Sequence, residues 1–410
     1  MKPIVCILAN KDRSLSYGIG RYLEQIINHN NEDFFVLLIL LSTYISKIQI
    51  TNNIGCKIIE MPMCNVDNSS KQENRFNRGI LYFIKEEFIK DNKCLFHINT
   101  YCSPFVIQMI KEILKCKVIF TLHFSSWAYS NLLGNENLLL HIWRKKKNER
   151  NTSENKIIDF LKKDIELMLP CDKVIFIANH TLRLYNKMYN LPKGKCEVIY
   201  NGLKDGYTYA NSETNQYIRS KFGLSFNEKI IIFVGRLDYI KGITFLIDAY
   251  LKIVNKIPQS RLLIIGDGKY FQSVKNEHIT FMGFVNKSDL NELYRIADMG
   301  IILSLYEEFG YVAIEMMMHK LPIIATDTTG LSEIIENNIT GIKIPIKYKT
   351  TGEPFIDTNY VAEKIVHLIK DDDNRLFLAS NARRAYKQKF SDHLFMTKMR
   401  NLYIKTFNTL

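Results

Sequence analysis

Glu307 and Glu315 lie eight residues apart in SLYEEFGYVAIEMM, where the apolar run MGIILSL passes through a short glycine-containing loop into a helical segment opened by Phe309-Gly310-Tyr311. The amides and positive dipole end of such a helix start suit a phosphate or a sugar hydroxyl. One carboxylate precedes the helix and the other lies about a turn inside it, so the pair brackets the helix N-terminus at two depths. The spacing alone is weak evidence. Residues 307 and 308 read equally well as solvated loop acids favoured by the dipole, with Glu315 as an exposed helix residue.

Further upstream, the run IIIFVG ends in Gly235-Arg236, and Lys241-Gly242 precedes the helical segment GITFLIDAYLKIV. Two cations five residues apart, one at a strand end and one before a helix, can clamp a diphosphate, Arg as a planar fork and Lys as a mobile point charge. A lysine at a helix start opposes the dipole and calls for an anion there. The alternative is a pair of surface charges flanking a turn. His123 ends the run KVIFTLH and is placed at the ligand-binding edge of an open α/β sheet, although a lone histidine is usually structural. Gly18 and Gly20 form a flexible turn opening the helix RYLEQIINH, where amides approach a ligand or simply cap the helix.

Several chemistries are disfavoured. Gly266-Asp267-Gly268 and Gly18-Ile19-Gly20 have Phe271 and Leu23 where a dinucleotide fingerprint needs its third glycine, which argues against hydride transfer. No acidic triplet stands at a strand end, and Asp371-Asp372-Asp373 reads as a helix cap, so no catalytic metal is expected. No nucleophile elbow or Cys/His nucleophile context is present.

The elements that must position these residues alternate between short apolar runs and amphipathic segments. PIVCILA, FFVLLIL, CKIIEM, CLFHINT, KVIFTLH, KVIFIA and CEVIYNG read as strands with helices between them. The alternation restarts at IIIFVGRL and continues to GIKIPI. It predicts an α/β chain of two consecutive doubly wound domains, their strand ends facing a shared cleft. The expected division is an acceptor-binding Rossmann-like domain over 1–205, a polar linker over 206–228, a second Rossmann-like domain over 229–385, and a helical tail over 386–410 crossing back to the first domain.

Composition agrees with a globular protein: 410 residues are too many for one core, and 47% hydrophobic with 24% charged residues is ordinary. The longest apolar run, residues 34–41, is far shorter than a bilayer span and reads as a buried parallel strand. The N-terminus lacks the features of a signal peptide, and the eight cysteines contain no C-x-x-C pair, so a cytosolic chain with reduced core thiols is expected. Residues 1–205 hold +9 of the net +13 charge, densest at WRKKKNER. That excess suits an anionic membrane surface or an acidic acceptor, although a solvated lysine-rich face is the commoner case. No recognition motif accompanies it, which disfavours nucleic acid.

VGRLDYIKG, IIGDG, SLYEEFGYVAIEMM and LPIIATDTTGLSEII, in that order, resemble the donor half of the retaining glycosyltransferases of family 4. YGIGRYL, TLHFSSW and VIYNG extend the resemblance over nearly the whole chain. It implies the GT-B fold of two facing Rossmann-like domains, a nucleoside-diphosphate sugar as donor, UDP the commonest nucleotide, and no cofactor. By the same resemblance Arg236 and Lys241 neutralise the donor diphosphate, with Gly235 beside them. Glu315 accepts hydrogen bonds from the ribose, Glu307 holds a sugar hydroxyl, and the amides of Phe309, Gly310, Tyr311 and Val312 contact sugar and phosphate. Val285 sits by the base, His123 touches the donor sugar, and Gly18 and Gly20 form the loop near diphosphate and acceptor.

The implied reaction passes through an oxocarbenium-like state on the face from which the nucleotide leaves, with Glu307 a donor-site residue and not a nucleophile. The implied acceptor is a glycan, a lipid-linked sugar or a peptide in bacterial surface-polysaccharide or glycoconjugate synthesis, read by residues around Trp127, Tyr129 and 130–136. The chain departs from the family at His319-Lys320, where glycine is usual, at Thr329, which replaces one glycine of a pair, and over 346–358, which is longer than usual. An epimerase or phosphorylase of the same fold, or a non-catalytic nucleotide-sugar-binding protein at a membrane, are the competing readings.

Overall fold

The computed structural model describes residues 2–11, 18–28, 33–42, 44–53, 56–62, 70–130, 132–208, 211–268, 274 and 276–409. The chain divides into two compact units, one of Met1–Trp127, Ile142–Gly202 and Asp392–Leu410, the other of Ala128–His141 and Leu203–Ser391.

The first unit is built on an eight-stranded sheet. Its strands are β1 (Ile4–Asn10), β2 (Phe35–Ser42), β3 (Gln49–Asn53), β4 (Cys56–Pro62), β5 (Cys94–Ile98), β6 (Lys117–Leu122), β7 (Lys173–Phe176) and β8 (Cys196–Val198), in the order β3-β4-β2-β1-β5-β6-β7-β8. All pairings are parallel except β3 with β4. The central strands are continuous apolar runs because a parallel strand is covered on both faces. β3 (QITNN) is exposed throughout and carries no apolar run, which is why its sequence does not announce it. The helix Asp392–Phe407 belongs to this unit, where Phe395, Met399, Leu402 and Tyr403 join the core formed by β1, β2 and the helix Gly18–Asn28.

The second unit is built on a six-stranded, wholly parallel sheet. β9 (Lys229–Val234), β10 (Ser260–Ile265), β11 (Ile279–Gly283), β12 (Met299–Ile302), β13 (Ile323–Thr326) and β14 (Ile342–Ile344) are ordered β11-β10-β9-β12-β13-β14. A separate antiparallel hairpin pairs β15 (Ile346–Tyr348) with β16 (Pro354–Ile356). Residues 346–358, expected to be a lengthened link, contain that hairpin.

Two expectations about organisation need correction. Residues 206–228 are not an extended linker, because the helix Ser212–Lys221 lies inside them and belongs to the second unit. The sequence hides it, since Ile218 is its one buried residue; capping by Asn211 and ion pairs from Lys221 to Asp289 (2.7 Å) and Glu292 (2.5 Å) hold it. Ala128–His141, expected within an N-terminal domain ending at residue 205, packs with the second unit.

Candidate functional site

In an open parallel sheet the ligand-binding edge is the carboxyl end of the strands. β9 and β12 are neighbours in the second sheet, so the loops that follow them lie side by side although Lys241 and Glu307 are 66 residues apart. The Leu305 amide donates to the Ile240 carbonyl at 2.8 Å, tying one loop to the other. Across that tie the Lys241 ammonium donates to Glu307 Oε1, and Ser304 Oγ donates to the same oxygen at 3.1 Å. Asp238 caps the turn Tyr239–Lys241, its carboxylate accepting from the Lys241 amide at 3.0 Å. Gly242 closes the turn at φ 71°, where an added Cβ would lie 1.9 Å from the Leu303 carbonyl oxygen. No other residue fits so close to the neighbouring loop.

Glu307 is fixed through its backbone as well. Thr329 Oγ1 accepts from the Glu307 amide at 3.0 Å and donates to its carbonyl at 2.6 Å. The threonine that departs from a glycine pair is therefore the residue that seats Glu307, and Ser304 and Thr329 are site residues that motif reasoning did not supply. The substitution itself was the signal available for Thr329.

Glu315 lies in the second turn of the helix Tyr311–Met318 and is 5% exposed, which removes the reading of it as an exposed helix residue. The Tyr294 hydroxyl donates to its Oε2 at 3.0 Å. The ring of His319 stacks on Tyr294 with centroids 5.2 Å apart, and burial, helped by Arg295 and Arg383, lowers the His319 pKa to about 4. His319, a departure from the family pattern, is thus a neutral prop for the tyrosine that holds Glu315. Glu308 is also buried, its carboxylate accepting from the Tyr306 hydroxyl at 2.5 Å, so it is not a solvated loop acid.

The remaining second-unit residues are spread along the same strand ends. Gly235 and Arg236 follow β9; the Arg236 guanidinium pairs with Asp238 at 3.0 Å, both side chains well exposed, and does not join the Lys241–Glu307 pair. Val285 follows β11, just before the helix Lys287–Ile296. Phe309 is buried, Gly310 caps the helix at φ 111°, and Tyr311 and Val312 are its first residues, where amides have no intrahelical acceptor.

Gly18, Gly20 and His123 belong to the first unit. Both glycines lie inside the helix Gly18–Asn28 and not in a turn before it; its opening residue is Gly18, a position where the amides need no partner within the helix. His123 follows β6, and its Nε2 lies 2.9 Å from Asn99 Oδ1. With that oxygen accepting, Nε2 carries the proton and Nδ1 presents a lone pair. Surrounding protein disfavours the charged ring and lowers its pKa to about 3, so the imidazole is neutral at neutral pH. Beneath it lies a buried network: His97 Nδ1 is 2.6 Å from the Tyr403 hydroxyl, His97 Nε2 is 2.7 Å from Thr121 Oγ1, and the Tyr22 hydroxyl is 3.1 Å from the same Thr121 oxygen. Tyr22 also meets the His123 ring edge-on at 4.6 Å.

This geometry can be set beside known proteins. Residues 215–385 match the family described as Glycosyl transferases group 1. The chain is 32% identical over 229 residues to an uncharacterised glycosyltransferase of Methanocaldococcus jannaschii, covering 53% of this chain and 56% of that one. It is 28% identical over 238 residues to the N-acetyl-alpha-D-glucosaminyl L-malate synthase of Bacillus anthracis, covering 56% and 59%. The chain thus spans a little over half the length of these curated relatives. Among solved structures it is similar to Anabaena HepE in complex with UDP and glucose, with TM-score 0.70 and 17% identity over 97% of this chain and 98% of that one. A glycosyltransferase of Rickettsia africae gives TM-score 0.72 and 21% identity over 99% and 98%. At such identities the structural likeness speaks to the fold. Residues 215–385 are thus similar to the glycosyl transferases group 1 family, and the chain has the GT-B fold.

Proposed function

We propose that this chain is a retaining glycosyltransferase of family 4 that moves a hexosyl group from a nucleoside-diphosphate sugar, with UDP as the nucleotide, to a glycan, lipid-linked or peptide acceptor. The observation that carries the reading is the Lys241–Glu307 pair at the ends of two adjacent parallel strands, within the matched family region. A diphosphate arriving at this edge offers Lys241 a stronger anion than Glu307, and Glu307, freed from the ammonium, turns to a sugar hydroxyl. Glu315, buried and oriented by Tyr294, takes the ribose. Arg236, exposed at the rim, adds the second positive charge on the departing diphosphate, so charge neutralisation rests on side chains. His123, held as a neutral imidazole, is a hydrogen-bond partner for the donor sugar. The nucleotide assignment draws support from the UDP seen with HepE.

A panel of sugar nucleotides screened for slow hydrolysis by the purified protein tests the reading and names the donor without an acceptor. Release of UDP from one UDP-sugar, undiminished by EDTA, is the expected result. Loss of all turnover with EDTA would remove the metal-free mechanism, and no hydrolysis or binding of any sugar nucleotide would remove the transferase reading. The place of action proposed is the cytoplasm, with the basic first half drawn to the inner membrane face in surface-glycan synthesis. Flotation with anionic but not neutral liposomes, weakened by salt, is the corresponding outcome.

A further inference from the structure

Ala128–His141 leaves the sequence of the first unit to pack in the second, and it does so against the residue next to Glu307. Gly134 sits at φ 81°, and a Cβ there would lie 2.8 Å from the Tyr306 Cβ, so the backbone of this strap rests directly on Tyr306. One residue on, buried Asn135 uses both ends of its amide. Its Oδ1 accepts from the Leu138 amide at 3.0 Å, capping the helix Glu136–Arg144, and its Nδ2 donates to the Gly352 carbonyl at 3.0 Å. Gly352 is at the tip of the β15–β16 hairpin, and Leu138 packs against it. The hairpin in turn leans on the lysine turn, because the Tyr239 hydroxyl donates to Glu353 at 3.3 Å and to the Pro354 carbonyl at 3.4 Å. The contacts close a ring: Lys241 to Glu307, Tyr306 to Gly134, Asn135 to Gly352, and the hairpin back to Tyr239.

We infer that the strap and the hairpin form a frame that holds Lys241 and Glu307 in register, with Asn135 as a positioning residue for the diphosphate site. Its role in transfer rests on the proposed function; the mechanical part does not. Each segment backs one of the two loops that carry the Lys241–Glu307 pair, the strap through Tyr306 and the hairpin through Tyr239. The frame thus accounts for the lengthened stretch after residue 345 and for the change of unit at Ala128.

Asn135→Asp separates the two jobs of the side chain, since aspartate caps a helix as well as asparagine but cannot donate to Gly352. Amide hydrogen exchange is expected to rise about tenfold or more at residues 238–242 and at Leu305 in this variant, with the melting temperature nearly unchanged. UDP affinity should fall about fivefold while uridine affinity stays the same. Gly134→Ala, which pushes the strap off Tyr306, should act alike, and Asn135→Ser, which keeps a capping oxygen without the reach, replaces Asn135→Asp if that variant unfolds. Unchanged exchange in both folded variants overturns the frame. Faster exchange in a protein that binds no sugar nucleotide would keep the frame and remove the transferase reading. Equal losses for UDP and uridine would overturn the assignment of Asn135 to the diphosphate site.

Discussion

At the ends of β9 and β12 the second unit sets a lysine against a glutamate, whereas at the ends of β5 and β6 the first unit sets two histidines among hydroxyls and an amide. Both are strand-end sites of a parallel sheet, yet they solve the problem of polar groups in a packed protein in opposite ways. The second unit keeps its ions by pairing them near the surface, where a stronger anion can displace the pairing. The first unit removes the ions by burial, leaving neutral groups whose protons are assigned by hydrogen bonds. The pairing suits recognition of a charged ligand, and the burial suits orientation of an uncharged one.

The largest expected effect comes from breaking the second unit's side of this comparison. Lys241→Ala should weaken UDP binding about 100-fold, or ~2.7 kcal/mol, while the fold persists. Calorimetry giving wild-type affinity would detach the lysine from the diphosphate.

The next tests the first unit's side. His97 is fully buried, and burial, with the nearby His123, lowers its pKa to about 3. Its neutral form is favoured by folding, so its contribution is complete above the unfolded value near 6.5 and is lost as pH falls toward 3. At pH 5 the loss is ~2 kcal/mol. Trp127 and Trp143, the two tryptophans of the chain, both lie in the first unit, so urea melts followed by tryptophan fluorescence read that unit. His97→Gln should flatten the dependence between pH 7.5 and 5 by about that amount. An unchanged slope would mean that His97 is not the buried neutral group described.

Smaller effects sharpen the division of labour within the second unit. Glu315→Gln should weaken UDP about tenfold, or ~1.4 kcal/mol, and pyrophosphate much less; equal losses would contradict a ribose role. Arg236→Ala should change stability by under ~0.5 kcal/mol, because its pairing with Asp238 is exposed, while UDP binding falls measurably. A large drop in melting temperature would give Arg236 a structural role instead.

How much of this could be read beforehand differs in the same way between buried and surface elements. The central strands were legible because burial on both faces leaves an unbroken apolar run, as in FFVLLIL. β3 and the helix Ser212–Lys221 were not, since their residues are largely polar or exposed, and the β15–β16 hairpin was not, since its strands are only three residues long. Lys241 and Glu307 could be named separately from local patterns. Their contact required the sheet order β9-β12, and the backing by Thr329, Tyr294 and Asn135 required the loops to be in place.

The helix Asp392–Phe407 supplies Phe395, Met399 and Tyr403 to the core of the unit that contains β1. A ribosome adding about 5–20 residues per second must therefore complete the whole second unit before the first can close its core and satisfy His97. The first unit to be synthesised is the last to finish folding. A frameshift near residue 391 would damage a unit whose other segments are translated before it, and a truncation meant to isolate the first unit would need the last helix spliced back onto it.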